Sequence, residues 1–463
     1  MEIAGRKALV IGAARSGIAS ARFLAQRGST VALNDRKPLS DWPQTALDLK
    51  TEGIGLVEGD PPSWLLDQID LLVVSPGVPT NAIPIRYAAR RGVEVIGEIE
   101  LASRFLRGRI VAITGTNGKT TTTTLIGQML KDGGLNVQVG GNIGTPLISM
   151  IESSRDDGWN VVELSSFQLE TIVDFHPAVA AVLNVTPNHM DRYESLLDYA
   201  AAKHRIFMNQ TAGDLAILNA DDEIVSSWAN GLRAHVTRFS VKHDLNEGLF
   251  LRGGRDLVSK TAAGERVLMT RDDLRLRGLH NVENALAASA AGLACGVAPE
   301  SLRETARSFR PVEHRLEEVA EINGVRFFND SKATSVDATI KALEAFDDEA
   351  GKIVLILGGR GKQAPYAPLA SLVRERVRML ILIGEDASKI ESELGQAAAF
   401  DHATDMREAI AKSFAAAGRG DIVLLAPACA SFDMFESFEH RGRVFKEEGR
   451  RLERGRELAT ETH

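Results

Sequence analysis

Residues 111–121 read Val-Ala-Ile-Thr-Gly-Thr-Asn-Gly-Lys-Thr-Thr: a β-branched apolar run, a glycine turn, then a Lys-Thr pair opening a Thr-rich helical segment. Each residue type suits a triphosphate. Gly115 and Gly118, with Thr116 and Asn117 between them, let backbone N–H groups converge on phosphate oxygens. The N-terminus of the following helix adds positive potential. Lys119 reaches the outer phosphates, Thr120 is placed to ligate magnesium, and Thr121 completes the turn. The spacing is G-x-x-G-K-T, tighter than the general G-x-x-x-x-G-K-[ST] pattern because Ile113 stands where that pattern has glycine. The chain is expected to bind ATP or GTP.

A phosphate loop needs an acidic partner for its cation. Glu163 ends the run Val161-Val162-Glu163, on the strand edge where ligands collect in open parallel sheets. It reads as a metal ligand or, alternatively, as a cap of the next helix. His189 lies in Asn188-His189-Met190-Asp191-Arg192-Tyr193, past the following strand. It is either an exposed loop histidine or a neighbour of Glu163 and Lys119 on that edge. Lys203, after Tyr199-Ala200-Ala201-Ala202, reads from its surroundings as a solvated helix lysine. Asn281 and Asn284 are three apart and share a helix face, where amides suit an adenine edge, a phosphate or a plain N-terminal cap. Farther on, Asn329-Asp330-Ser331-Lys332-Ala333-Thr334, Gly358-Gly359-Arg360-Gly361-Lys362 and Pro427-Ala428-Cys429-Ala430-Ser431 each follow a strand. Together they describe a pocket for a small carboxylate-bearing molecule facing the bound nucleotide.

Residues so placed need parallel strands beneath them, and strand-like runs do alternate with helical patterns along most of the chain. This predicts α/β layers on largely parallel sheets. Three blocks separate: 1–98, 99–311 and 312–463. The first carries strands at Lys7–Ile11, Thr30–Asn34, Leu71–Val74 and Val93–Ile96 and reads as Rossmann-like. Its glycine turn is G-x-x-x-x-G from Gly12 to Gly17, not the dinucleotide fingerprint, which weighs against a nicotinamide-dependent oxidoreductase. Asp35 sits where a Rossmann acid meets a ribose hydroxyl, so a nucleotide or phosphate is expected there, a turn needing glycine only for packing being the alternative. The second block, a P-loop domain, has strands at Val137–Gly140, Asn160–Glu163, Val179–Val185 and Leu215–Asn219. The third, again Rossmann-like, has them at Val325–Asn329, Ile353–Leu357, Met379–Ile383 and Ile422–Leu425. Gly97 and Pro311 are the expected hinges.

Composition narrows the class. The net charge of −8 and the absence of a Lys/Arg block argue against nucleic acid. No apolar run nears the ~18 residues of a membrane span, and no leader pattern precedes the first strand. Two distant cysteines, Cys295 and Cys429, read as reduced thiols, so cytoplasm is expected. The charged stretch Arg441–Glu457 reads as a solvated helix face.

Taken together, G-T-N-G-K-T-T, E-L-S-S-F-Q-L-E, N-H-M-D-R-Y, H-N-x-x-N, H-R, N-D-S-K-A-T, G-G-R-G-K and P-A-C-A-S-F-D-x-F resemble the Mur ligases, in the right order across all three blocks. The tightened phosphate loop is the form that family uses. The resemblance implies an ATP-dependent amide ligase of peptidoglycan synthesis working through an acyl phosphate. It is nearest the branch that joins D-glutamate to UDP-N-acetylmuramoyl-L-alanine, as a monomer. By motif position it implies catalytic roles for Lys119, His189 and Lys203. Of two magnesium ions, one would be held by Thr120 and Glu163 and one by His189 and Lys203, the lysine carrying a CO2 adduct. Asn281, Asn284, Arg315 and Asp330 match positions that contact ATP. Lys332, Thr334, Lys362, Ser431 and Phe438 match those around D-glutamate, and Ser16, Asp35, Arg36, Ser75, Gly77 and Asn142 those around the UDP-sugar. Arg15 and Arg36 depart from the commonest family spelling.

Overall fold

The computed structural model describes residues 1–461 except 191, 277, 311–312, 347–349 and 363, with side chains as far as residue 454. The expected hinge and boundary at Pro311–Val312 therefore lie outside the described residues. The chain forms two compact units, residues 1–273 with 283–308 and residues 274–282 with 309–463.

The first unit holds two sheets. Strands β1 (Lys7–Ile11), β2 (Thr30–Asp35), β3 (Gly55–Glu58), β4 (Leu71–Val74) and β5 (Glu94–Gly97) are all parallel, in the order β3-β2-β1-β4-β5. Chain order reverses between β1 and β4, so the turn after β1 opens at a switch point, where ligand crevices form. The second sheet contains β6 (Arg109–Thr114), β7 (Val137–Gly141), β8 (Trp159–Glu163), β9 (Val179–Val182), β10 (Leu215–Asn219), β11 (His235–Ser240), β12 (Gly248–Arg252), β13 (Asp256–Thr261) and β14 (Gly264–Thr270), in the order β14-β13-β12-β11-β10-β9-β6-β8-β7. It is parallel from β7 to β12, and β12–β14 add an antiparallel ribbon. The ribbon escaped the sequence reading because β13 and β14 mix polar and apolar residues and the apolar run Leu249-Phe250-Leu251 of β12 is only three residues long. β6, β8 and β9 are those runs: Val111, Ala112, Ile113, Val161, Val162, Ala180 and Ala181 are wholly inaccessible.

A Cβ on Gly97 would lie 2.1 Å from Thr171 Oγ1, so glycine permits close approach of the first sheet to the second. Immediately after it, Glu98 is buried, and its Oε1 accepts the Ile148 N–H at 2.7 Å while Oε2 has no hydrogen-bond partner among the described residues. Burial pushes this carboxyl up from 4.5 to about 7, with the Ile148 and Leu147 amides opposing. A raised acid favours the folded chain at low pH, and that advantage drains away as pH rises from about 4.5 to 7. Glu98→Gln therefore flattens stability against pH in that window, by up to about 3 kcal/mol. Denaturant melts at pH 5 and 8 check this; parallel curves for variant and wild type would contradict it.

The second unit is built on β15 (Glu317–Ile322), β16 (Val325–Asn329), β17 (Ile353–Gly358), β18 (Val377–Ile383), β19 (Ala399–His402) and β20 (Ile422–Leu425), ordered β15-β16-β20-β17-β18-β19 and parallel except for the edge strand β15. The final helix, Phe438–Glu461, packs against β15 and β16.

Candidate active site

The β6 strand runs into the glycine turn and then the helix Lys119–Asp132. Gly118 caps that helix in the left-handed region, φ +82°, and a Cβ there would lie 2.3 Å from Asn284 Oδ1. Asn184, after β9, fastens the turn from outside: its Oδ1 accepts the N–H groups of Thr116 (3.1 Å) and Asn117 (2.8 Å). Sequence reasoning passed over Asn184, although its place one strand-end away was readable. Thr120 and Thr121 are buried on the first turn of the helix.

Two ammonium groups converge on one carbonyl. Lys119 Nζ donates to Gly115 O at 2.9 Å and to Thr116 O at 2.7 Å, and Lys203 Nζ donates to the same Gly115 O at 2.7 Å. Lys203 is only 1% exposed, which corrects its reading as a solvated lysine. It projects inward from the helix Leu196–His204, with Nζ 4.4 Å from the Tyr199 ring centroid. Burial, and then the charge of Lys119, hold its amine well below the ordinary lysine range, while Glu163 pulls the other way. Poly-alanine neighbours hid this, because alanine gives no hint of which helix face is buried.

Glu163 is buried at the end of β8. Its Oε1 accepts from Asn142 Nδ2 at 2.8 Å, whereas Oε2 has no hydrogen-bond partner among the described residues. The cap of the next helix is Ser165, in a capping box with Gln168, so the alternative reading of Glu163 as a cap falls. An orphaned buried carboxylate oxygen, at the strand end paired with Ile113 just before the phosphate loop and acting on Lys203, fits a hard divalent cation with phosphate oxygens. His189 holds a left-handed backbone, φ +56°, and its ring lies 4.9 Å from Phe167 and 6.4 Å from Tyr199, centroid to centroid. Asn281 and Asn284 are both buried on the helix Leu279–Ala294, inside its first residues, so neither is its cap. Asn284 Oδ1 accepts from Thr122 Oγ1 at 3.1 Å.

Between the first and second sheets lies a cavity of about 530 Å³ whose walls include Ser16, Asp35, Arg36, Ser75, Gly77 and Asn142. Arg15, the first residue of the helix Arg15–Gln26, donates across it to Gly144 O. Both Asp35 oxygens are taken by backbone amides, those of Ala13 (2.8 Å) and Lys37 (3.0 Å), and Arg36 pairs with exposed Asp60 at 3.0 Å.

In the second unit the ends of β16, β17 and β20 are stitched together: Ala428 N–H donates to Ala333 O (2.9 Å), and Arg360 and Ala430 exchange backbone bonds at 3.0 Å. Lys332 Nζ lies 5.2 Å from the Phe438 ring centroid, Lys362 Nζ donates to Thr334 Oγ1 at 3.3 Å, and Ser431 is buried at the same edge. Burial pushes the half-buried Asp330 carboxyl up to about 7 against the pull of Arg315 and Lys332. Arg441 overturns the expectation of a solvated face at its first residue. Only 1% exposed, its guanidinium donates to Ser331 Oγ (3.0 Å), Ser331 O (2.8 Å) and Cys429 O (3.1 Å), and burial lowers it to about 10, still charged at neutral pH. Its local sequence looks like any charged helix.

A tight phosphate loop on a mainly parallel sheet, in a chain that carries two further α/β sheets, defines a nucleotide-dependent enzyme of three α/β domains. The chain belongs to the Mur ligase family: profiles of the MurD-like N-terminal domain, the Mur ligase middle domain and the Mur ligase glutamate ligase domain match residues 6–97, 113–292 and 314–429. Among its relatives, proteins named UDP-N-acetylmuramoylalanine--D-glutamate ligase are 47% identical in Koribacter versatilis, over 98% of this chain and 99% of that one, and 49% identical in Pelotomaculum thermopropionicum, over 96% and 97%. The fold is shared with the UDP-N-acetylmuramate-alanine ligase of Thermotoga maritima (TM-score 0.59, 21% identity, 96% of this chain and 100% of that one). It is shared too with MurF of Acinetobacter baumannii (0.60, 17%, 96% and 91%). The family is ATP-dependent. Among the described residues no helix is long and apolar enough to cross a membrane.

Proposed function

We propose that this chain joins D-glutamate to UDP-N-acetylmuramoyl-L-alanine at the cost of ATP, in the cytoplasmic assembly of peptidoglycan precursors, acting as a monomer. The observation that carries the reading is the convergence of the Lys119 ammonium and the buried Lys203 amine on one loop carbonyl, with the carboxylate of Glu163, one oxygen unpartnered, acting on Lys203. That arrangement suits a polyanion whose charge grows during reaction. A carboxylate and an amine do not condense in neutral water, so the acid must first acquire a leaving group. The γ-phosphoryl of ATP passes to the alanyl carboxylate, ADP departs, and the carboxylate becomes an acyl phosphate. The neutral amine of D-glutamate then attacks the acyl carbon. The tetrahedral intermediate loses inorganic phosphate, and the amine gives up its remaining extra proton as the amide forms.

Residues 1–98 would take the UDP-sugar, 99–311 the ATP and 312–463 the amino acid. Gly115, Thr116, Asn117, Gly118 and Thr121 cradle the phosphates, Lys119 follows the transferred group, and Asn281, Asn284, Arg315 and Asp330 bind the rest of ATP. Thr120 and Glu163 would hold one magnesium ion, and His189 with a carbamylated Lys203 the other. When bound, these ions neutralise charge on the phosphoryl group. Ser16, Asp35, Arg36, Ser75, Gly77 and Asn142 hold the UDP-sugar; Lys332, Thr334, Lys362, Ser431 and Phe438 hold D-glutamate, beneath which Arg441 keeps the loop shelf in place.

Phosphate release from ATP tests the reading. With UDP-N-acetylmuramoyl-L-alanine present, D-glutamate stimulates release, whereas L-lysine and meso-diaminopimelate do not. The reverse pattern would overturn the substrate assignment.

A further inference from the structure

Arg192 has no part in the chemistry above, yet its guanidinium makes three hydrogen bonds and a ring contact within the first unit. Its Nη1 donates to Pro76 O at 3.2 Å and its Nη2 to Val78 O at 3.3 Å, both in the turn after β4 that forms one wall of the nucleotide cavity. The same Nη2 reaches Glu170 Oε2 at 2.8 Å, and the guanidinium lies 4.0 Å from the Phe167 ring centroid. Phe167 belongs to the helix Ser166–Leu169, whose Gln168 also lines that cavity. Both charged partners are 15% exposed, so this is not a solvated surface pair. Tyr193 OH, at 2.6 Å from Glu170 Oε1, adds a second tie.

The other end of this cross-tie is the metal loop. The N–H groups of Arg192 and Tyr193 both donate to His189 O, at 3.0 and 3.1 Å. The His189 ring stands edge-on against the Phe167 ring that carries the guanidinium. One residue therefore joins two walls of the nucleotide cavity to the backbone and ring of His189.

We infer that Arg192 is a positioning residue that couples occupancy of the nucleotide cavity to divalent-cation affinity at His189. The inference rests on the functional reading above. A nucleotide that fixes the Pro76–Val78 turn and Gln168 orders the guanidinium between them, and with it the loop. By linkage, the cation tightens nucleotide binding by the same factor.

The test uses the full chain, Mn2+ followed by electron paramagnetic resonance, and UDP-N-acetylglucosamine, which fills the nucleotide cavity but brings no carboxylate to the metal. The ATP analogue AMP-PNP is held constant, and protein-free titrations correct for chelation. In wild type the UDP-sugar tightens Mn2+ binding by about 5-fold or more, the lower range of measured couplings. Arg192→Met brings that ratio to within 2-fold of unity, Arg192→Lys gives an intermediate value, and AMP-PNP affinity is unchanged. A purely structural role would weaken ligands without altering the ratio. Glu170→Gln, which keeps the guanidinium but removes its ion pair, halves the coupling or more and serves should Arg192→Met not fold. A wild-type ratio near one, or equal ratios in wild type and variants, overturns the coupling while leaving the ligase reading intact. Failure of wild type to take up either ligand sinks both.

Discussion

Lys119→Ala releases phosphate about a thousandfold more slowly than wild type while its thermal midpoint moves by no more than about 2 °C. The size follows from the role: a preorganised cation aimed at developing charge in a water-poor site contributes about 10²- to 10³-fold for a single donor, and phosphoryl transfer depends almost wholly on such groups. The small stability change follows from the bonds lost, which run to two carbonyls, Gly115 O and Thr116 O, in a turn that Asn184 holds independently. Removing Lys119 also relieves the repulsion it exerts on Lys203. Malachite-green assays with matched calorimetry check the pair of outcomes. Activity within tenfold of wild type would refute the phosphate role of Lys119.

Lys203→Ala is expected to be comparably damaged but, unlike Lys119→Ala, partly rescued by millimolar acetate or formate. The prediction comes from charge. A second buried ammonium beside Lys119 leaves an excess of positive charge around Gly115 O, and a carbamate would replace that cation with an anion able to ligate magnesium. Only a neutral amine adds CO2. Burial depresses the Lys203 amine, so the reactive form exists at lower pH than for an ordinary lysine; as pH falls through that depressed value the amine protonates and CO2 is lost. Wild-type activity therefore declines in CO2-depleted buffer and does so more steeply at acid pH, while the acetate-rescued variant is insensitive to CO2. Wild-type rates in Lys203→Ala, or rescue by no carboxylic acid, would exclude the adduct. Because burying a charged lysine is costly, Lys203→Met is at least as stable as wild type stripped of CO2.

What the residues disclosed in advance follows a physical division. Buried parallel strands announce themselves as apolar runs, and β1, β4, β10, β16 and β20 begin and end where Lys7–Ile11, Leu71–Val74, Leu215–Asn219, Val325–Asn329 and Ile422–Leu425 said they should. Glycine turns with charged residues at strand ends were equally plain, hence Lys119, Glu163 and the loops at Asp330 and Lys362. Strands β13 and β14 and the edge strand β15 mix polar and apolar residues and lacked that signal, whereas the short run Leu249-Phe250-Leu251 of β12 carried it and was passed over. The deepest failures were Lys203 and Arg441. Both are long cations on helices, a setting in which solvent exposure is the ordinary outcome, and each is held by a partner more than 80 residues distant in sequence, Gly115 for Lys203 and Ser331 for Arg441. Burial of a cation is decided by what packs over it, and no local window contains that information. Only motif resemblance singled out Lys203, and nothing singled out Arg441.

The bonds from Arg441 to Ser331 span 110 positions, and the central strands β16 and β20 are separated almost as widely. The Ser331–Cys429 loop shelf therefore cannot close until translation has passed Arg441, whereas the phosphate loop, complete far earlier, can already be folded. Nascent chains halted short of Arg441 would emerge with a finished phosphate loop and an unlatched Ser331–Cys429 shelf. Carboxy-terminal deletions reaching into the final helix fall in the same class, and their loss of amide synthesis would come from an unlatched loop rather than from any missing reactive group.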